Sequence, residues 1–272
     1  MKLLDRIRKD NEVLVMGILN VTPDSFSDGG EFLGKNSAVK RAVEMEENGA
    51  DLIDIGGEST RPGADQVPLE EELERTVPVI EGIRKETDVP ISIDTYKSEV
   101  AEKALDAGAN IINDISALRF DSDLGRVAAE RGAPLVLMHM QGTPKTMQED
   151  PTYDDPVGDI SDFLGERVEK AKSLGVKDEQ LILDPGIGFG KRLEDNYEIL
   201  RRLEEFKQLG YPLLLGTSRK SFLGATLDLP TEERLEGTIA SNVVGVIRGA
   251  DILRVHDVKE VYRATQVAVR CR

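Results

Sequence analysis

Residues 107–114 read AGANIIND, and the order of residue types in this stretch decides the fold. A glycine stops a helical segment, a short apolar run follows, and polar residues end that run. The same order recurs along the chain at four other glycines, Gly49, Gly132, Gly210 and Gly249. Its repetition predicts helices that alternate with parallel strands.

Eight short apolar runs are predicted to be these strands. Each run is apolar almost throughout, as expected of a strand that is buried on both faces. They span residues 13–19, 51–55, 90–93, 110–113, 134–138, 180–183, 212–215 and 250–255. Eight units in 272 residues predict one (β/α)8 TIM barrel domain over residues 1–272, with an open doubly wound sheet as the alternative.

Composition excludes several classes of protein. The chain has 35 basic and 51 acidic residues, and a net charge of −16 repels nucleic acid. The single cysteine, Cys271, allows no disulfide within the chain. No apolar run approaches the roughly 20 residues that cross a bilayer, and the first residues, MKLLDRIRKDNE, lack an apolar signal core. We therefore expect a cytoplasmic protein that binds neither nucleic acid nor a membrane.

Polar residues end three of the predicted strands. Asp94, Asn113 and Asp184 each follow an aliphatic run, and the carboxyl ends of barrel strands converge on one site. A buried carboxylate needs partners, which a structural Lys or Arg supplies equally well for any single Asp. The three residues together favour a heterocycle that carries N–H donors.

The segment DPGIGFGK at residues 184–191 does not fit a nucleotide-binding loop. Its glycines alternate without the gap of a dinucleotide fingerprint, and no Ser or Thr follows Lys191 as a P-loop requires. These glycines are predicted to let a flat ligand approach the backbone, with Phe189 as one wall of its pocket.

Cationic residues follow the last two strands. Lys220, Arg254 and His256 suit an anion, and loops at this place often bind phosphate in α/β barrels. A solvated lysine and a core histidine are the alternatives. Two long loops rich in Gly, Ser, Thr and Pro follow Asn20 and Asp54, and both are predicted to act as lids.

Taken together, these segments resemble the dihydropteroate synthase family. The resemblance runs through nearly the whole chain in ordered motifs: GILNVTPDSFSDGG at 17–30, DIGGESTRPGA at 54–64, ISIDTYK at 91–97, NIINDISA at 110–117, LVLMHMQGTPKTMQ at 135–148, LDPGIGFGK at 183–191, LLLGTSRKSFLG at 213–224 and RVHDV at 254–258.

The resemblance implies a TIM barrel that joins a dihydropterin carrying a hydroxymethyl diphosphate to 4-aminobenzoate, with Mg²⁺ and release of diphosphate. It implies that the pterin contacts Asp94, Asn113, Asp184, Lys220, Met138, Phe189 and Gly216. It places the diphosphate on Asn20, Thr60, Arg61, Arg254 and His256, with Asn20 as the Mg²⁺ ligand. It bounds the aminobenzoate site by Pro62, Phe189, Lys220 and Ser221.

The same resemblance gives catalytic roles to Asp28, Lys220, Arg254 and His256. The sequence offers no Ser–His–Asp arrangement, and Cys271 lies far from every strand end. We therefore expect the C–O bond to diphosphate to break before the amine attacks, with Asp28 stabilising positive charge at the methylene.

Three other functions stay open at this point. A methyltetrahydrofolate–corrinoid methyltransferase would share the pterin residues but would not need the TSRK, RVHDV and STRPGA motifs. A non-catalytic pterin-binding relative should have lost some of them. A Schiff-base aldolase would use Lys220.

Two apolar stripes on residues 235–248 suggest a self-interface. We expect a homodimer through this helix and the C-terminal helix. A helix wedged between its barrel neighbours is the alternative.

Overall fold

The computed structural model describes residues 4–7, 12–22, 30–61 and 63–272, with only the backbone of residues 30–33. Its strands are β1 Leu14–Asn20, β2 Leu52–Gly56, β3 Ile91–Asp94, β4 Ile111–Asp114, β5 Leu135–Met138, β6 Leu181–Asp184, β7 Leu214–Leu215 and β8 Ile252–Val255. They form one eight-stranded sheet in the order β6-β5-β4-β3-β2-β1-β8-β7. Every strand pair is parallel, and a bridge between Leu183 and Leu213 joins the two ends of the sheet. The predicted TIM barrel is confirmed.

Helices alternate with these strands and surround the barrel. They are α1 at residues 4–7, α2 Gly30–Glu47, α3 Leu69–Glu86, α4 Ser98–Asp106, α5 Asp123–Arg131, α6 Pro156–Ser173, α7 Leu193–Arg201, α8 Ser221–Leu227, α9 Leu235–Ile247 and α10 Val258–Ala268. The glycine pattern that predicted the helix ends is seen at Gly108. This residue lies just after α4 and has a positive φ of 114°. Among the described residues, no helix is long and apolar enough to cross a membrane.

The predicted strand boundaries were wrong by about one residue for most strands. Asp94 and Asp184 are the last residues of β3 and β6 rather than the residues that follow them. Both still lie in the ladder, where Asp94 is in register with Asn113 and Asp184 with Met138. A polar side chain does not end a strand whose backbone still pairs with its neighbour.

An apolar layer fills the inside of the barrel. Its inward side chains come from seven strands: Leu14, Met16, Leu52, Ile111, Val136, Ile182, Leu214 and Ile252. Leu4 and Ile7 of α1 pack against the same layer. A second, larger cluster lies between the strands and the outer helices. This layer occupies the barrel interior, and in barrels of this kind ligands bind at the carboxyl ends of the strands.

Candidate active site

The polar residues at the barrel mouth continue the inward side of the strands. Side chains two residues apart on a strand face the same side of the sheet. Leu52 of the apolar layer is therefore followed by Asp54, Ile111 by Asn113, Ile182 by Asp184, and Ile252 by Arg254. Val136 leads in the same way to Met138, and Leu214 leads to Gly216. The residues predicted from strand ends converge because one periodicity directs all of them inward.

Arg254 connects two buried carboxylates at the centre of this mouth. Its Nε donates to Asp54 Oδ2 at 2.6 Å and its Nη2 donates to Asp94 Oδ2 at 2.8 Å. Asn113 Nδ2 donates to the same oxygen of Asp54 at 3.2 Å. The other oxygens, Asp54 Oδ1 and Asp94 Oδ1, are buried and have no hydrogen-bond partner. Burial raises the pKa of Asp94 to about 8, and Arg254 opposes this rise. One guanidinium thus leaves acceptors that a ligand with N–H donors would satisfy.

Sequence reasoning named Asp54 only as the point where a strand ends and assigned it no site role. It is fully buried and anchors both Arg254 and Asn113. Its spacing of two residues from Leu52 was the available signal, because that spacing directs it into the barrel.

Asp184 and Lys220 form a second polar group beside the glycine-rich turn. Asp184 Oδ1 accepts a hydrogen bond from Gly186 N at 2.7 Å. The Lys220 ammonium donates to Ile187 O and lies 4.5 Å from the centroid of the Phe189 ring. Burial lowers the pKa of Lys220 to about 7, with Asp184 opposing the shift. Lys220 is therefore a partly buried group of the site rather than a solvated lysine.

The glycine turn leaves no room for side chains. A Cβ on Gly186 would lie 1.9 Å from His139 O, and one on Gly188 would lie 3.0 Å from Lys220 Cδ. Both glycines have positive φ, at 68° and 81°. These glycines allow close contacts with His139 and Lys220, and the approach of a flat ligand to this segment stays a prediction.

An apolar cluster forms one wall of the mouth. Met138 packs with Tyr96, Ile115, Met140 and Met147, and Phe189 and Phe120 pack against them. Tyr96 and Phe120 meet edge to face with ring centroids 5.2 Å apart. A wall of this kind beside unsatisfied acceptors suits a flat ring with polar edges.

His256 occupies a cationic corner of the mouth. Burial, together with the positive charges of Arg254, Arg219 and Arg61, lowers its pKa to about 4. The ring is therefore neutral at pH 7. Ser218 Oγ accepts from the backbone N–H of His256 at 3.1 Å and lies 3.0 Å from its Nδ1. If the Ser218 hydroxyl donates to Nδ1, the ring proton lies on Nε2, where it can donate to an anion.

Ser218 was another residue that sequence reasoning missed, and it stands next to a histidine. It is not set up as a nucleophile, because its oxygen is buried and already accepts a backbone N–H. Among the described residues, no carboxylate hydrogen-bonds the His256 ring. The pair fixes the orientation of the histidine.

The remaining predicted residues lie at the rim. Thr60 is half-buried and Arg61 is exposed on the loop after β2, and Ser221 is exposed at the start of α8. Asp28 and Pro62 lie outside the described residues. Asn20 ends β1, and its Oδ1 would lie 3.7 Å from a Cβ placed on Gly56. Asp94 Oδ2 would lie at the same distance from that Cβ, so both oxygens converge on Gly56.

Comparisons with known proteins agree along almost the full length. Residues 16–256 match the family model described as pterin binding enzyme. The chain is 53% identical to dihydropteroate synthase of Clostridium beijerinckii over 254 residues, which are 93% of this chain and 92% of that protein. A structure of the synthase from Clostridium difficile with pteroic acid is 49% identical, with a TM-score of 0.91 over 96% of this chain and 97% of that one. The synthase from Xanthomonas albilineans with 4-aminobenzoic acid is 45% identical, with a TM-score of 0.90 over 96% and 94%.

Proposed function

The chain belongs to the dihydropteroate synthase family of pterin-binding enzymes, which are transferases of folate biosynthesis, and we propose that its reaction takes place at the barrel mouth around Arg254. There it joins 6-hydroxymethyl-7,8-dihydropterin diphosphate to 4-aminobenzoate and releases diphosphate. The observation that supports this proposal is the combination of acceptors and cations at the mouth. It has an acceptor side, where Asp54 Oδ1 and Asp94 Oδ1 are buried without a hydrogen-bond partner, and a cationic side around His256, and Arg254 belongs to both. This combination suits a ring with N–H donors that carries an anionic tail. The synthase relatives favour this function over methyl transfer, simple binding or aldolase chemistry.

The pterin would sit on the acceptor side. Asp184 and Asp94 would accept the N–H groups of its amino-pyrimidinone edge. N–H donors of the ligand would favour the ionised form of Asp94, and the resulting charge-assisted pairs select for geometry as well as charge. Asn113 is held by Asp54 and would add a polar contact. Met138 and Phe189 would cover the ring. Gly216 leaves this space open, since a Cβ there would lie 4.0 Å from Lys220 Nζ.

The diphosphate would sit on the cationic side. Arg254, His256 Nε2, Arg61 and Thr60 would bind its oxygens there. The described residues contain no cluster of three or more His, Cys, Asp or Glu side chains for a metal. Magnesium does not need one, because it binds through one or two protein oxygens together with substrate phosphates. Asn20 fits as that protein ligand, and the ion would neutralise charge on the departing diphosphate.

Bond breaking before amine attack fits this arrangement. The mouth would stabilise a leaving anion, and Ser218, which lies next to His256, is not set up as a nucleophile because its buried oxygen already accepts the His256 backbone N–H. We therefore expect slow loss of diphosphate from the pterin substrate when no arylamine is present. Rapid-quench measurement of released diphosphate tests this order. A strict dependence on arylamine, with a rate that rises steeply with its nucleophilicity, would contradict it.

Lys220 provides a pH test of the site. Its pKa is lowered to about 7, so its ammonium form is present below that pH and is lost above it. We expect kcat/KM for the pterin diphosphate to fall about tenfold per pH unit on the alkaline side. The bound diphosphate raises the pKa of Lys220, so kcat should stay level to a higher pH. Lys220→Arg stays charged and should lack the alkaline fall. If Lys220→Arg kept the wild-type dependence of kcat/KM on pH, Lys220 would not be the group that causes the alkaline fall.

A homodimer is the second part of the proposal. The side of α9 that packs on the barrel is partly polar, because Thr238, Ser241 and Asn242 are buried there. Apolar side chains point outward instead, with Val244 42% exposed, Ile247 47% exposed and Val267 of the neighbouring α10 65% exposed. An exposed apolar patch across two helices suits a self-interface. Ile239 and Val243 also contact the core, so the wedged-helix alternative describes only part of this helix.

Charge introduced into this patch should separate the protomers. We expect the double variant Val244→Asp with Ile247→Asp to sediment as a monomer at micromolar concentration, because two carboxylates would be desolvated in an apolar interface. Leu193→Asp replaces an exposed leucine of α7 and serves as the matched control, which should stay dimeric. A wild-type protein that sediments only as a monomer would contradict the interface.

A further inference from the structure

One lysine joins both ends of the loop after β2. Lys97 Nζ donates to Glu58 Oε2 at 2.7 Å, to the carbonyl of Val67 at 2.6 Å and to Glu72 Oε2. Glu58 lies at the start of the loop and Val67 near its end, and Val67 N also donates to Glu58 Oε2 at 3.2 Å. All three ammonium protons of Lys97 are therefore used. We call this meeting point of Glu58, Val67, Glu72 and Lys97 the root of the loop.

This root is buried. Glu58 is 8% exposed and Glu72 is 1% exposed, so two buried carboxylates share the ammonium of Lys97, whose side chain is 19% exposed. Such an ion pair in a low-dielectric setting is costly to break, because the charge left behind has no partner. The root therefore fixes where the loop leaves the barrel.

Tyr96 connects this root to the apolar wall of the pterin pocket. Its hydroxyl donates to Glu58 Oε1 at 2.7 Å. Its ring belongs to the same cluster as Met138, against which Phe189 packs. One side chain thus contacts both the wall and the carboxylate that anchors the loop.

The loop is also held at its tip. Gly63 N donates to the carbonyl of Pro144 at 3.0 Å, on the loop that follows β5. Thr60 and Arg61 lie between the root and this tip contact. A loop fixed at both places loses less conformational freedom when it binds a ligand than a free loop would.

We propose that Lys97 and Tyr96 are positioning residues that hold Thr60 and Arg61 over the diphosphate site. Neither of them needs to touch substrate. They act by fixing the loop that does, and Tyr96 does so from the wall of the pterin pocket. This inference rests on the proposed function, in which Thr60 and Arg61 bind diphosphate.

The test compares two ligands on one variant. Tyr96→Phe removes the hydroxyl and keeps the ring, so the wall should stay packed. We expect inorganic diphosphate with Mg²⁺ to bind about tenfold more weakly, which corresponds to ~1.4 kcal/mol, while 6-hydroxymethylpterin binds as in the wild type. Titration calorimetry measures both. Tyr211→Phe is the matched control, because its hydroxyl donates to Asp178 at 2.6 Å, outside the mouth.

A second variant tests whether the weaker diphosphate binding of Tyr96→Phe comes only from a less stable fold. Glu58→Gln keeps the shape but must turn its NH2 either toward the Tyr96 hydroxyl or toward Lys97 Nζ and Val67 N, so one set of donors loses its acceptor. It should weaken diphosphate binding further and leave pterin binding unchanged. Hydrogen exchange of the amides at residues 59–61 and 63–66 should also quicken in both variants. Equal losses for both ligands, or no change in exchange and diphosphate affinity, would overturn the proposal.

The two proposals fail in different ways. If the wild type binds neither pterin nor diphosphate, the proposed function fails, whatever the loop amides show. If the wild type binds both and Tyr96→Phe binds both equally well, only the positioning role fails.

Discussion

Replacement of Arg254 by methionine is expected to lower kcat/KM at least a thousandfold and to destabilise the fold by about 3–5 kcal/mol at pH 7. The guanidinium would no longer face the diphosphate, and Asp54 and Asp94 would be buried together without a cation. Steady-state kinetics measure the first effect, and urea unfolding measures the second.

The loss of stability should depend on pH in a defined direction. Burial already raises the pKa of Asp94 to about 8, and without Arg254 the pKa of that carboxyl rises further. Below about pH 8 folded Asp94 is protonated in the wild type and in the variant alike, so the further rise of its pKa costs stability only as pH increases beyond about 8. The deficit of Arg254→Met should therefore be larger at pH 9 than at pH 7.

A matched variant separates this effect from the loss of any arginine. Arg202 contacts three carboxylates, Asp155, Glu198 and Glu205, but its side chain is 32% exposed on the outside of the barrel. Arg202→Met should keep kcat/KM near the wild-type value and cost far less stability than Arg254→Met. If Arg254→Met resembled Arg202→Met in both measurements, the central role of Arg254 would be wrong.

The second large effect is expected at Asp184. Asp184→Asn should weaken the binding of 6-hydroxymethylpterin by roughly a hundredfold or more, because hydrogen bonds to an ionised acceptor are each worth about 1.5–3 kcal/mol. Gly186 N donates to Oδ1, so the amide must keep its oxygen there and present NH2 at the position of Oδ2. A donor would then meet the N–H donors of the pterin. Titration calorimetry gives the dissociation constant directly.

Asp251→Asn is the control for this change. Asp251 is also a buried carboxylate, 3% exposed, and accepts from Leu213 N at 2.8 Å and from Lys207, near the amino ends of the strands. Its replacement should reduce stability without changing pterin affinity. Equal pterin affinity in wild type and Asp184→Asn would exclude Asp184 as a pterin ligand.

The barrel could be predicted from sequence because each unit repeats one local pattern. Apolar runs with polar ends recur at every strand, and residues such as Asp94, Asn113 and Asp184 do converge at the mouth. The strand ends were missed by one residue because local sequence does not show where backbone pairing stops. The ladder continues through Asp94 since Asn113 lies beside it.

Partnerships between distant residues could not be predicted. Arg254 contacts Asp54 and Asp94, which lie 200 and 160 residues away along the chain. The sequence identified the cation but not the carboxylates that hold it. The same limit applies to Lys97, which follows β3. It bonds to Glu58 of the loop after β2 and to Glu72 of α3, and these contacts depend on how the three segments pack together.

The outward apolar side of α9 was predicted only in part. Two apolar stripes were visible in the sequence, but the sequence did not show which side of α9 faces the barrel. A contact with Thr217 of the barrel fixes that side. Its hydroxyl accepts from Ser241 at 2.9 Å and from Asn242 at 3.0 Å, which turns these polar residues toward the barrel. Periodicity alone does not contain that contact.

The central claim is that this mouth transfers a pterin-methyl group to an arylamine. The most direct measurement incubates the purified protein with Mg²⁺, 6-hydroxymethyl-7,8-dihydropterin diphosphate and 4-aminobenzoate, and follows dihydropteroate and released diphosphate together. We expect both products in equal amounts, and neither above background with folded Arg254→Met or Lys220→Ala. Pterin binding without either product would contradict the claim.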